Sequence, residues 1–246
     1  MRWGVFSDVH SNCEALNAVL ERFRAEKVGG YVCCGDITGY GAEPDKAIAT
    51  ISALPNVIAV RGNHDLAVLG RMDITWFNEM AAAAVRYAQK SIQPENMRWL
   101  QDLPPRVDRD ELTLVHGSPR NPAEEYLVTV QQFHDNYQYF KVSPCFIGHS
   151  HLPLCFLMKE PVSYVEFGTL KEAAVVRTPR GVRSVINPGS VGQPRDHDHR
   201  ASCGIYDDEA RVFNLVRIEY DVAEAQRKIL DAGLPEFLAL RLAYGQ

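Results

Sequence analysis

Five times along this chain a short apolar run ends abruptly in a polar cluster. Arg2–Ser7 runs into Asp8-Val9-His10, Tyr31–Cys34 into Gly35-Asp36, and Asn56–Val60 into Arg61-Gly62-Asn63-His64-Asp65. Leu112–Val115 runs into His116-Gly117, and Cys145–Ile147 into Gly148-His149-Ser150-His151. Runs of this length read as buried strands. Helical patterns separate the first ones, and such strand–helix alternation builds an α/β sheet. In open α/β sheets ligands bind beyond the carboxyl ends of the strands. The five clusters can therefore meet on one rim although they are far apart in sequence.

The helices declare themselves by caps and stripes. Asn12 to Lys27 carries Leu16, Val19, Leu20 and Phe23 on one face, with Ser11 and Glu14 as its expected capping box. Pro44 opens a second helix with Ile48 and Ile51 inward. Residues 66–103 read as mostly helical, and Val130–Phe140 as a further helix. Arg106-Val107 and Leu112–Val115 flank an acidic turn, Asp108 to Glu111. From Leu152 to about Tyr220 the chain is strand-rich. Leu154–Met158, Ser163–Phe167, Ala174–Arg177, Val182–Ile186, Cys203–Tyr206 and Val212–Ile218 are the expected strands, with Asn187-Pro188-Gly189-Ser190 as a break. Asp221 and Glu224 cap a helix with Val222, Ala225 and Ile229 inward, and a short helix begins at Pro235. No repeat and no linker divides the chain. One domain over 1–246 is expected: 66–103 a helical insertion, 152–220 a strand-rich second sheet, 221–246 C-terminal helices.

Composition narrows the function classes. The apolar share of 46% supports a substantial core. A formal net charge of -5 argues against a long nucleic acid as partner. It leaves phosphate chemistry open, because bound cations supply local positive charge. The six cysteines form no CxxC, and Cys33, Cys34 and Cys145 sit in strand-like runs, so buried thiols in a reducing cytoplasm are expected. Cys33 and Cys34 should face opposite sides of their strand. No signal-peptide pattern or membrane-length apolar run is present.

The clusters offer Asp, Asn and His but no cysteine, a donor set that suits Mn²⁺, Fe or Zn²⁺ and not a thiolate-rich structural zinc site. Side chains alternate along an extended backbone, so His149 and His151 are expected to point the same way, and a metal is their natural partner. Each residue also has a plainer reading. Asp8 could help cap the first helix, Asn63 could serve the turn after Gly62, His64-Asp65 could cap the next helix, and His116 could be a satisfied strand-end histidine.

In order, the chain carries DxH, GDxx, GNHD, a lone histidine and GHxH, and by these motifs it resembles the calcineurin-like metallophosphoesterases. The resemblance covers Asp8 to His151 by motif and the later strands by layout. It implies a four-layer α-β-β-α sandwich, two mixed sheets flanked by helices, with a metal site at the strand C-terminal ends. It implies two divalent ions per chain, Mn²⁺ first and Fe, Zn²⁺, Ni²⁺ or Mg²⁺ as alternatives. One would take Asp8, His10, Asp36 and His151, and the other Asp36, Asn63, His116 and His149. Asp36 would bridge them with one oxygen toward each. Ions ~3.5–4 Å apart clamp attacking and leaving oxygens, and a bridging water would attack phosphorus in line. His64 would protonate the leaving group or stabilise its charge, and Asp65 would orient His64.

The segment Asn187–Arg195 also resembles one in prokaryotic members that runs beside the active site. Arg195 is thus a candidate for phosphate contact, with Asn63, His64 and Tyr40. Tyr40, Arg61, Arg120 and Tyr126 follow motif residues and could line a substrate pocket, with ordinary packing or solvation the favoured reading for each. Asp196-His197-Asp198-His199 reads as a polar loop, and His134 needs no role. The expected activity is hydrolysis of a small phosphodiester, phosphomonoester or nucleotide-type substrate, dinucleoside polyphosphates included. Alternatives are a protein serine/threonine phosphatase, for which the chain is short, and a non-catalytic binding scaffold. No membrane partner is expected, and a homo-oligomer stays open.

Overall fold

A computed structural model describes residues 1–109, 112–159, 161 and 164–246. Asp110 and Glu111 of the acidic turn, and Ser163 at the start of an expected strand, lie outside the described residues.

The strands form two six-stranded mixed sheets. The first has β1 (Arg2–Phe6) between β2 (Gly30–Cys33) and β11 (Ala201–Asp207). Its order is β3 (Val57–Ala59), β2, β1, β11, β12 (Val212–Ile218), β9 (Val175–Arg177). The first three are parallel, and the last three add antiparallel. The second sheet runs β4 (Arg106–Arg109), β5 (Leu112–Val115), β6 (Cys145–Phe146), β10 (Val182–Pro188), β7 (Pro153–Lys159), β8 (Val165–Thr169). Here β5, β6 and β10 are parallel.

Alternation of side chains divides the core into layers. Val5, Val32, Cys34, Leu114, Phe146, Ile186, Tyr206 and Phe213 meet between the sheets. Their chain neighbours Phe6 and Cys33 point outward, onto α1 (Cys13–Ala25) and α2 (Pro44–Ser52). Val115, Cys145, Ile147 and Val185 point the other way, onto Phe133 of α6 (Val130–Asn136). The result is the expected helix–sheet–sheet–helix sandwich, with Cys33 and Cys34 on opposite faces. The stretch 66–103 is helical, with α4 (Glu79–Ser91) and α5 (Pro94–Asp102) following the short α3 (Asn63–Val68). Helices α7 (Val222–Asp231) and α8 (Glu236–Leu240) close over α4 through Ile229, Leu238, Leu242, Ala81 and Tyr40. Lys228 ties α7 to Glu14 at 2.5 Å and to Glu43 at 2.7 Å.

Three local expectations change. The cap of α1 is Asn12, whose side chain accepts from Ala15 N at 3.1 Å; Ser11 is already turned to φ +58° and cannot cap. Strand β10 runs through Asn187-Pro188 instead of breaking there, because both still pair with β7. The strands of 152–220 also do not make a sheet of their own. β7, β8 and β10 join the second sheet while β9, β11 and β12 complete the first. That split follows long-range pairing, which leaves no trace in local pattern.

Candidate metal centre

The five polar clusters follow β1, β2, β3, β5 and β6, all of which have parallel neighbours, so their carboxyl ends share one rim. Backbone bonds stitch the loops together: Asp8 N to Gly35 O at 3.0 Å, His10 N to Asp36 O at 3.0 Å, and Gly148 N to His116 O at 2.7 Å. Gly192 N donates to Asp8 O at 2.9 Å, which brings the loop after β10 to the same rim.

The structure brings the seven predicted donors together as two adjoining groups. Asp8, His10 and His151 form one, and Asp36, His116 and His149 the other; within each, donor atoms lie within 4.8 Å of one another. Asn63 joins the second, its Oδ1 3.1 Å from His116 Nε2. All of them except Asn63 are buried.

Carbonyl oxygens fix the imidazole tautomers, since a carbonyl only accepts. His10 Nδ1 donates to Thr38 O at 2.9 Å, His151 Nδ1 to Gln193 O at 2.6 Å, and His116 Nδ1 to Cys34 O at 2.8 Å. His149 donates through Nε2, to Glu124 O at 3.1 Å, leaving Nδ1 for the site. The free nitrogens therefore present lone pairs. His10 Nε2 and His151 Nε2 face each other at 3.1 Å. Asp8 Oδ1 lies 3.4 Å from His151 Nε2, and Asp36 Oδ2 lies 3.7 Å from His10 Nε2 and 3.4 Å from His116 Nε2. Acceptors that close repel unless a cation stands among them. Hard oxygens and imidazoles without thiolate suit divalent ions, so the two groups fit a dinuclear centre.

The titration behaviour follows from the same crowding. Burial pushes Asp8 up to about 7 and His149 down to about 3, and holds His10 and His151 well below the ordinary histidine value. His116 goes the other way. Burial opposes its charge, yet Asp36 beside Nε2 raises it to about 9. Burial likewise works against the Asp36 carboxylate, but His116 and His64 hold it well below the usual carboxylate range. An ion at His116 Nε2 would have to displace the proton held there.

Three expectations about roles are corrected. His149 and His151 do not share a side of an extended strand. β6 ends at Phe146, both histidines have left-handed backbone (φ +67° and +59°), and they serve different groups. A tight turn between them, Ser150 N to Gly148 O at 2.7 Å, replaces the extended path. Asp36 does not offer one oxygen to each group. Its Oδ1 accepts from His64 N at 2.9 Å, so Oδ2 alone faces both. Asp65 does not orient His64. Its carboxylate accepts from Gly62 N at 3.0 Å, Ile37 N at 3.3 Å, and Thr38 N and Oγ1 at 3.0 and 2.9 Å. Placed in the first turn of α3, it is spent on backbone donors.

His64 has its ring packed on Tyr40, His10 and Phe77, at 4.5, 4.9 and 4.9 Å between centroids, with Nδ1 buried and unpartnered. Burial lowers its pKa to about 4, so it is neutral near pH 7. Arg195 Nη2 reaches the Tyr40 hydroxyl at 3.4 Å, so these two of the four candidate substrate contacts lie together beside His64. Tyr126 is exposed and stacks on His149 at 4.0 Å. Arg61 instead donates to Leu103 O at 2.6 Å, and Arg120 pairs with Glu125. The 196–199 loop is ion-paired, Asp196 to Arg217, Asp198 to Arg200 and His199 to Glu219. Sequence reasoning missed Phe77 and the carbonyls of Thr38, Cys34, Glu124 and Gln193. A backbone acceptor carries no side-chain signature that could have revealed them.

A sandwich of two mixed sheets with buried Asp/His clusters at its strand ends is the arrangement of a metallophosphoesterase. The chain belongs to the calcineurin-like phosphoesterase superfamily, whose family model matches residues 1–210. A metallophosphoesterase from Sphaerobacter thermophilus is 38% identical, with 100% of this chain and 99% of that one covered at a TM-score of 0.89. An uncharacterized protein of Methanocaldococcus jannaschii is 36% identical across 98% of this chain and 97% of its own length. A hypothetical protein of Pyrococcus horikoshii shares the fold at 21% identity and a TM-score of 0.78, covering 100% of this chain and 98% of its own. No helix among the described residues is long and apolar enough to cross a membrane.

Proposed function

We propose that this chain hydrolyses small phosphate esters or anhydrides of nucleotide type with two divalent ions, Mn²⁺ first among them. The observation that carries the reading is the pair of facing Nε2 lone pairs of His10 and His151, 3.1 Å apart and locked by Thr38 and Gln193. Asp8, His10 and His151 would hold one ion, and Asn63, His116 and His149 the other, with Asp36 Oδ2 shared. When bound, such ions supply the Lewis acidity that activates water and polarises phosphoryl oxygens.

The chain's own groups divide the remaining work. Neutral His64, wedged beside Asp36, donates a hydrogen bond to phosphoryl or leaving-group oxygen. Arg195, braced by Gln193 Oε1 at 2.8 Å, presents its fork to phosphate. Tyr40 and Phe77 wall the His64 side and limit water there. A binding scaffold with a decayed site is disfavoured by the complete donor set.

The test is turnover of p-nitrophenyl phosphate, its bis ester and nucleotides, with and without Mn²⁺. Metal-dependent hydrolysis of at least one is expected. Absence of any metal-dependent turnover would refute the reading, and faster bis-ester turnover would assign a phosphodiesterase.

A further inference from the structure

One edge of the site is built from cations that the seven donors do not use. Arg241 opens the 3₁₀ turn Arg241–Tyr244 after α8, and Arg195 lies in the loop after β10. Their guanidinium carbons stand 6.0 and 5.8 Å from the centre of one ring, that of Tyr40. The same ring meets His10 edge-on at 4.7 Å and His64 at 4.5 Å. The two guanidiniums are thus one side chain away from the metal donors.

Among the described residues neither is ion-paired to an Asp or Glu side chain. Arg195 donates to Tyr40 Oη and Gln193 Oε1, and its Nε is buried and unpartnered. Arg241 donates through Nε to the main-chain oxygen of Gln246. Half-buried Arg200 is paired with Asp198 and Glu172, and buried Arg217 with Asp196 and Asp198. Burial first, and the facing Arg195 second, lower the Arg241 pKa to about 10. Two guanidiniums that share one ring, with no Asp or Glu side chain paired to either, offer a place for an anion.

We propose that Arg241, Arg195 and the Tyr40 hydroxyl form a subsite for a second phosphoryl group, next to the one held at the metal centre. The ligand class is a diphosphate-bearing molecule, such as a nucleoside di- or polyphosphate, bound through the planar guanidinium forks. This rests on the function proposed above.

The experiment compares methylphosphonate with methylenediphosphonate, neither of which is hydrolysed, by titration calorimetry of the Mn²⁺-loaded chain at fixed free Mn²⁺. The diphosphonate is expected to bind about tenfold tighter or more, the size of one charged hydrogen-bond pair. Arg241→Gln should reduce that ratio to about threefold or less, and Arg241→Lys, which keeps charge but not the fork, should fall between. Arg24→Gln, which removes a charge from the exposed end of α1, should leave the ratio intact. Melting curves verify that each variant folds. A wild-type ratio near one would overturn the inference. So would a ratio indifferent to Arg241, or an equal weakening of both ligands. If the underlying function is wrong, neither phosphonate will require Mn²⁺. If only the subsite is wrong, methylphosphonate will still require it.

Discussion

Gly39→Ala probes whether the placement of His64 matters to turnover. Gly39 sits at φ +99°, and a Cβ there would lie 2.6 Å from His64 Nδ1 and 3.2 Å from His10 Nδ1. Ordinary contact begins at 3.4 Å, so His64 must retreat by 3.4 − 2.6 = 0.8 Å, while His10 shifts by only 0.2 Å. A misplacement of about 1 Å costs about 100-fold in rate. The backbone cost of a side chain at this φ is about 1–3 kcal/mol, or roughly 2–12 °C of melting temperature for a chain of this size. His64→Ala alone should cost about 10²–10⁴-fold in turnover while both ions stay bound. If Gly39→Ala acts through His64, adding it to His64→Ala should cost no more than about threefold further. Steady-state kinetics, melting curves and metal analysis of the three variants read these terms separately. A Gly39→Ala enzyme that melts lower yet keeps its rate would show that His64 placement is not used. Full additivity in the double variant would show that the substitution acts through the metal donors instead.

Asp36→Asn keeps the Oδ1 acceptor for His64 N–H and turns an NH₂ toward the imidazole lone pairs, so bound metal should fall to one ion per chain or fewer. Two ions at full occupancy by mass spectrometry would refute the shared Oδ2. Chelation of a chain loaded at about a hundredfold over its dissociation constant should remove about 2.7 kcal/mol per site, or roughly 5–10 °C of melting temperature. An unchanged curve would deny that the clusters bind ions. Asp65→Ala strands three backbone N–H groups and one hydroxyl, and should cost about 3 kcal/mol or more in stability. A loss of turnover at unchanged melting temperature would return Asp65 to a direct role beside His64.

The parts of this molecule that were legible in the sequence are those that local chemistry encodes. Apolar runs of strand length gave β1, β2, β5 and β6. The stripe of Leu16, Val19, Leu20 and Phe23 gave α1. The motif order named seven candidate donors; the structure gathers six of them into two buried groups, with Asn63 beside His116. What stayed hidden depends on distant pairing or on backbone groups. The distribution of the late strands between two sheets is set by partners such as Gly4 with Ile205 and Val185 with Cys145, which no periodicity announces. Arg241 carried no signal either. A lone arginine in a short terminal turn looks solvated until α8 folds it over Tyr40.

The misreading of His149 and His151 has the same root and shows how the centre is made. Side-chain alternation assumes an extended backbone, yet five of the seven donors, Asp8, His10, Asp36, His149 and His151, have φ between +47° and +67°. That region costs an L-residue about 1–2 kcal/mol each time. The conformations persist because the surroundings over-determine them. Ser190 Oγ and Gly192 N hold Asp8 O, Asn187 Nδ2 holds Gly148 O, and Asp65 gathers the turn after β2. The strained turns reverse the chain after β1, β2 and β6, so that consecutive donors fan into two groups instead of trailing along one strand. Because bonds outside the donor set fix these turns and the ring tautomers, an arriving cation meets lone pairs already aimed at it. Its binding energy then goes into affinity, not into ordering the loops.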